Sequence, residues 1–192
     1  MVNLYRLSDI PWKTASPTRF PFLQLSELRG RQLALGESIV VNTRSGLTGI
    51  WNIFLHSAGV TEAFLKLYDY LRFGTAIPAR LIEITALLVA VEEKSDYVWA
   101  AHAPLAIQAG VPEAVILDLK NRRRPTAMQQ DENVLYDFLI KLLRRHEVTA
   151  ETFAAASRYF STQSLVDFVA LVGQYKTVSM LITLGNLPPP GN

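Results

Sequence analysis

Apolar positions recur at helical spacing from Leu25 to Leu184, and Gly, Pro and small polar residues interrupt them at intervals that predict separate helices. The pattern starts near Leu25 and breaks around Asn42 to Gly49. A short helix is predicted over 50–57. Thr61 reads as the cap of a helix over 62–73, with Glu62 in its first turn and Gly74 as its stop. Pro78 suits the first residue of a helix running to about Lys94. Ser95 or Asp96 can cap the next, which Gly110 ends, and Pro112 opens a short one. NRRRPTAMQQD reads as a loop. Val134, Leu135, Phe138, Leu139, Leu142 and Leu143 give residues 131–146 one apolar face. Thr149 and Ser161 begin two more helices, the last running to Leu184 before Gly185, and residues 185–192, ending in LPPPGN, are a tail. No segment alternates as a half-buried strand would. The expectation is an all-α, single-domain bundle of about eight helices. An N-terminal arm over 1–24 precedes it. There Pro11, Pro17 and Pro21 alternate with residues that favour burial, such as Leu4, Tyr5, Phe20 and Phe22.

Composition narrows the setting. Hydrophobic residues make up 49% of the 192 and the mean hydropathy is +0.17, which points to apolar surface covered by another subunit. A net charge of only +2 gives no argument for nucleic acid or a membrane as partner. Arg122, Arg123 and Arg124 fall in a loop, and Arg144, Arg145 and His146 at a helix end, where the helix dipole favours cations; neither run has the interleaved aromatics of a nucleic-acid surface. The absence of cysteine excludes disulfides, thiol nucleophiles and cysteine-ligated metals. The opening MVNLYRLSDIPWK lacks the apolar core of a signal peptide, and no uninterrupted apolar run reaches the ~18 residues of a membrane span. A cytoplasmic location is the default expectation.

The chemistry concentrates in two central helices. The segment 81-LIEITALLVAV-91 is apolar nearly all round, so its helix is buried on most sides, and Glu83 is its one ionisable residue. A buried carboxylate must find a partner or shift its pKa upward. Arg80 lies three residues earlier, within pairing distance on the helix surface. Two readings stand: a buried Arg–Glu staple, or a carboxylate placed for proton transfer. A tight turn near Lys94 makes this helix and the next an antiparallel hairpin. Glu83 lies roughly 16 Å before that turn and His102 roughly 12 Å after it, so carboxylate and imidazole can meet directly or through water. Because side chains lean toward each helix N-terminus, a gap between them is favoured over direct contact. Ser95, Trp99, His102 and Ala106 share one stripe, with Tyr97 on a different side. Pro104 denies the carbonyl of Ala100 a donor, and a kink there would open space beside His102. The bland alternative is a core histidine on a helix that merely bends.

The run 80-RLIEITALLVAVEEKSDYVWAAHAPLAIQAGVPEAVI-116 resembles the signature of the carboxymuconolactone decarboxylase family, which also includes the alkylhydroperoxidase-type thiol proteins. The matching features are Arg80 and Glu83, then Tyr97, Trp99 and His102, then alanines and a Gly-Val-Pro-Glu helix start. Trp51 and His56 before it, and Gly173-Gln174-Tyr175 near the end, match less specifically. The resemblance implies a helical homo-oligomer: dimer, trimer or hexamer. In the thiol branch a C-x-x-C-x-x-x-H motif and a glutamate of the preceding helix form a proton relay. Aligned on His102, the two cysteine positions are Ser95 and Val98 here. Thiolate peroxide reduction is therefore excluded for this chain alone.

What the decarboxylase branch implies is general acid–base work without a cofactor on a small carboxylic or lactone substrate. His102 would be the proton donor or base and Glu83 its orienting partner, with Tyr97 beside them. Arg80 or protonated His102 would anchor the substrate carboxylate, while Trp99, Ser95 and His56 line the substrate site. His56 has a simpler reading as a helix-end histidine against solvent or a carbonyl, and Tyr175 as core packing with a satisfied hydroxyl. A ligand-binding or structural relative that has lost catalysis is the alternative. A metal hydrolase would need His56, Glu83 and His102 to converge, at no familiar ligand spacing, so no metal is expected.

Overall fold

The computed structural model describes residues 18–43 and 45–190; Leu4, Tyr5, Pro11 and Pro17 of the arm, and the last two residues of the tail, lie outside them. Among the described residues there are nine α-helices and no strand, against the roughly eight helices expected. They are α1 (Gly30–Asn42), α2 (Ile50–Phe54), α3 (Ala58–Asp69), α4 (Ala79–Glu92), α5 (Asp96–Gln108), α6 (Glu113–Lys120), α7 (Gln130–Arg145), α8 (Ala150–Ser157) and α9 (Thr162–Gly185). The chain divides into two compact units, one of residues 1–68 and 180–192 and one of 69–179.

In the first unit, Trp51, Phe54, Phe64 and Tyr68 form an aromatic cluster, with Phe54 and Phe64 ring centroids 4.2 Å apart. Asn52 fastens the end of the arm: its side chain bonds both the amide and the carbonyl of Leu23. Phe22 is exposed, contrary to the burial expected of it, while Phe20 packs on the His56 ring. The helix expected to begin at Leu25 begins at Gly30, behind a 3-10 turn over Leu25–Glu27. Thr61 caps nothing. Its helix already starts at Ala58, and its buried hydroxyl donates to the carbonyls of Phe54 and Ser57. Glycine is required at 185 by close approach, because a Cβ there would overlap Ile53.

In the second unit, α4 is the hub. Every residue from Leu81 to Ala90 is buried, as its all-round apolar character predicts. The α4–α5 turn is tight: Lys94 adopts a left-handed φ of 53°, and the amide of Ser95 donates back to the carbonyl of Ala90 at 2.8 Å. Ser95 then caps α5, its hydroxyl accepting from the amide of Val98 at 3.3 Å. Thr149 caps α8 in the same way, as its position predicts. Before α4 the chain makes a π turn, Tyr70–Gly74, where the sequence predicts the end of an α-helix. Within it Leu71 is buried and the Arg72 side chain is 9% exposed. Tyr70 ties the turn to α9, donating to Asp167 at 3.0 Å.

α9 is the one described helix long and apolar enough to cross a bilayer by length and composition, and half of its apolar window is buried inside the fold.

Candidate functional site

The sequence places a carboxylate and an imidazole on neighbouring helices, and the structure joins them directly. Nδ1 of His102 lies 2.7 Å from Oε2 of Glu83. This corrects the expected gap: the flexible arm of Glu83 spans the difference in height, about one helical turn, that backbone geometry leaves. The Glu83 side chain is 4% exposed and that of His102 16%, so solvent reaches the imidazole but hardly the carboxylate.

The second oxygen of Glu83 has a different partner from the one the sequence offers. Oε1 pairs with Nη1 of Arg72 at 2.8 Å. Arg80, three residues before Glu83, turns instead to the start of α7, where its guanidinium meets Asp131 at 2.6 and 3.1 Å and the fully buried Glu132 at 3.1 Å. The Arg80–Glu83 staple is thereby corrected. Glu132 sets this alternative by reaching back to the amide of Gln129 at 2.7 Å, so the α7 terminus presents two carboxylates at fixed positions.

Arg72 also donates to the Tyr175 hydroxyl at 3.2 Å. The Tyr175 ring meets the His102 ring edge-on, centroids 4.8 Å apart at 82°. Four side chains therefore close a ring, Glu83–Arg72–Tyr175–His102, drawn from α4, the π turn, α9 and α5. The hydroxyl of Tyr175 is satisfied, as expected, but its place beside the imidazole was not legible. Burial pushes the Glu83 carboxyl up, yet His102 and Arg72 outweigh it and hold the pKa at about 2. The carboxylate is ionised at neutral pH and accepts on both oxygens. In the neutral imidazole this places the proton on Nδ1 and the lone pair on Nε2.

The remaining predicted residues are placed as follows. Ser95 is buried, with its hydroxyl serving the helix cap. Trp99 is half-buried and lies under the Lys120 ammonium, 6.0 Å from its ring. Tyr97 is buried and, at ~100° per residue, points about 140° away from His102 around α5. Helix α5 continues through Pro104 to Gln108. His56 belongs to the first unit, where Nε2 lies 3.0 Å from the carbonyl of Pro21. Among the described residues no group of three or more His, Asp or Glu side chains is arranged to hold a metal ion.

No family model matches the chain, and no curated protein matches it. Solved structures do. The alkylhydroperoxidase AhpD core of an uncharacterized peroxidase-related protein from Ralstonia eutropha JMP134 superposes with a TM-score of 0.76 at 15% identity, over 91% of this chain and 93% of that one. An uncharacterized peroxidase-related protein from Silicibacter sp. TM1040 gives 0.61 at 19% identity, over 72% and 75%. The debrominase Bmp8, as a cysteine-to-alanine variant in complex with 2,3,4-tribromopyrrole, gives 0.60 at 14% identity, over 71% and 75%. At these identities the likeness shows the fold: an all-α, AhpD-core architecture, here without cysteine.

Proposed function

From an AhpD-core fold that carries a Glu–His pair and no thiol, we propose that this chain is a cofactor-independent general acid–base enzyme acting on a small carboxylic or lactone substrate. The observation that carries the reading is the 2.7 Å contact between an ionised, buried Glu83 and a partly exposed His102. A carboxylate that accepts from Nδ1 fixes the ring and stabilises the imidazolium, which is what a proton shuttle needs. In a decarboxylation the imidazolium first attracts the substrate carboxylate. The electrons of the breaking C–C bond pass into an adjacent unsaturated carbonyl as CO₂ leaves. The enolate carbon then takes the proton from His102, and a proton from solvent restores the imidazolium. Trp99 is assigned to the wall of the substrate site, and Tyr97, on the far side of α5 from His102, is not. Arg80 is not assigned the anchor, because Asp131 and Glu132 occupy its guanidinium. The complex of the debrominase with a small halogenated ring supports a compact cyclic molecule as substrate in this fold.

The test is turnover of unsaturated lactone acids by the purified protein, followed as CO₂ release. Loss of turnover in His102→Ala, with folding and assembly unchanged, is the expected result. Equal turnover in the variant overturns the proposal. A second reading, a ligand-binding protein without catalysis, is favoured by Ser95 and Val98 standing where the thiol branch has cysteines. Tight binding of the same acids without any turnover would establish it. Self-association is also proposed, as a dimer, trimer or hexamer, supported by the exposure of large apolar side chains such as Val41 at 80% and Phe73 at 71%. Light scattering checks it.

A further inference from the structure

A carboxylate held directly against an imidazole favours the imidazolium, and a ring that gives up and regains a proton in each cycle must also be stable in its neutral form. The ring of four side chains contains the counterweight. Arg72 contacts Glu83 at 2.8 Å on the oxygen that His102 does not use, so the two partners divide one negative charge. The arginine side chain is 9% exposed, which leaves its charge poorly screened by water. Its position is fixed twice, by the π turn that delivers it and by the Tyr175 hydroxyl at 3.2 Å. That same tyrosine sets its ring edge-on to the imidazole, so moving Arg72 also releases His102.

We propose that Arg72 is a positioning residue that splits Glu83 between two partners, and thereby keeps His102 neutral, with its lone pair on Nε2, over a wider pH range than the Glu83 contact alone would allow. The charged and titratable groups around the imidazole are consistent with this assignment. From α4 it meets Glu83, from the π turn Arg72 acts through Glu83, and from α9 it meets Tyr175. From α6 the Lys120 ammonium is directed to Trp99. Of these, Glu83 touches Nδ1 and Arg72 touches Glu83, so removing either charge changes the field at the ring. The inference rests on the proton-transfer reading for its purpose, but its physical content does not depend on turnover.

The experiment is an NMR titration of the His102 imidazole in the full-length protein, with ¹⁵N-labelled histidine. Arg72→Met is expected to raise the midpoint by about one pH unit or more, Arg72→Lys to restore most of the wild-type value, and Glu83→Gln to lower it. General loosening would carry all variants toward one solvent-like value, whereas the proposal requires Arg72→Met and Glu83→Gln to move in opposite directions. An unchanged or lowered midpoint in Arg72→Met overturns it. Should Arg72→Met not fold, Arg72→Gln takes its place: a raised midpoint supports the proposal, and an unchanged or lowered one overturns it. Failure of the lactone acids to turn over would remove the enzymatic reading and leave this result standing.

Discussion

Glu83→Gln isolates the energetics of the site, because it keeps the shape of the side chain and removes its charge. Its carboxyl has an ordinary value of 4.5 and is held at about 2 in the folded protein, burial pushing it up while His102 and Arg72 pull it down further. At about 1.4 kcal/mol per pH unit, the difference corresponds to on the order of 3 kcal/mol of stability carried by ionised Glu83. The folded value lies below the unfolded one, so this contribution is complete above about pH 4.5. It is lost as pH falls from there toward about 2. Two urea-unfolding series, wild type and Glu83→Gln, followed by circular dichroism in steps from neutral pH to about pH 2.5, measure it. The wild type should be the more stable at neutral pH, and most of its advantage should disappear across the acid window. Two curves that fall in parallel would mean that the carboxylate titrates alike folded and unfolded, contrary to this expectation.

Other outcomes follow from single features. Arg80→Met leaves the fully buried Glu132 without its cation and should cost about 3 kcal/mol in a denaturation experiment. Lys94→Gly relieves a left-handed φ of 53° at an exposed turn and should raise stability by about 0.5–1 kcal/mol after the added chain entropy of glycine, read as a higher urea midpoint. Phe168→Ala hollows a fully buried core position on α9 and should cost about 3–5 kcal/mol, read in the same way. Thiol-blocking reagents should leave every activity of the protein unchanged, because it has no cysteine.

What the sequence made legible was local. The unbroken apolar run of α4 predicted its burial, and Ser95 and Thr149 announced the caps they form, because periodicity and capping depend on neighbours within one turn. The hairpin turn at Lys94 and the similar heights of Glu83 and His102 followed from helical rise, whereas their direct contact did not, a gap having been expected. Long-range partners were not legible. Arg80 and Arg72 are both arginines near Glu83 in the chain, and nothing local says that the nearer one belongs to α7 while the farther one, in a π turn, pairs with Glu83. The remaining signal for Arg72 was a charged side chain beside Leu71 at the end of an amphipathic pattern. For Tyr175 it was a polar pair, Gln174-Tyr175, on an otherwise apolar helix. Thr61 misled because a threonine before a glutamate suits a cap as well as it suits a buried hydroxyl bonded one turn back.

In the proposed reaction His102, steered by Glu83, delivers a proton to carbon. Decarboxylation of a lactone acid in deuterium oxide tests it most directly, with deuterium read at the carbon that lost CO₂. Stereospecific incorporation by the wild type that vanishes in a folded His102→Gln variant is the predicted result. Incorporation that is random in the wild type, or equally stereospecific in the variant, would contradict it.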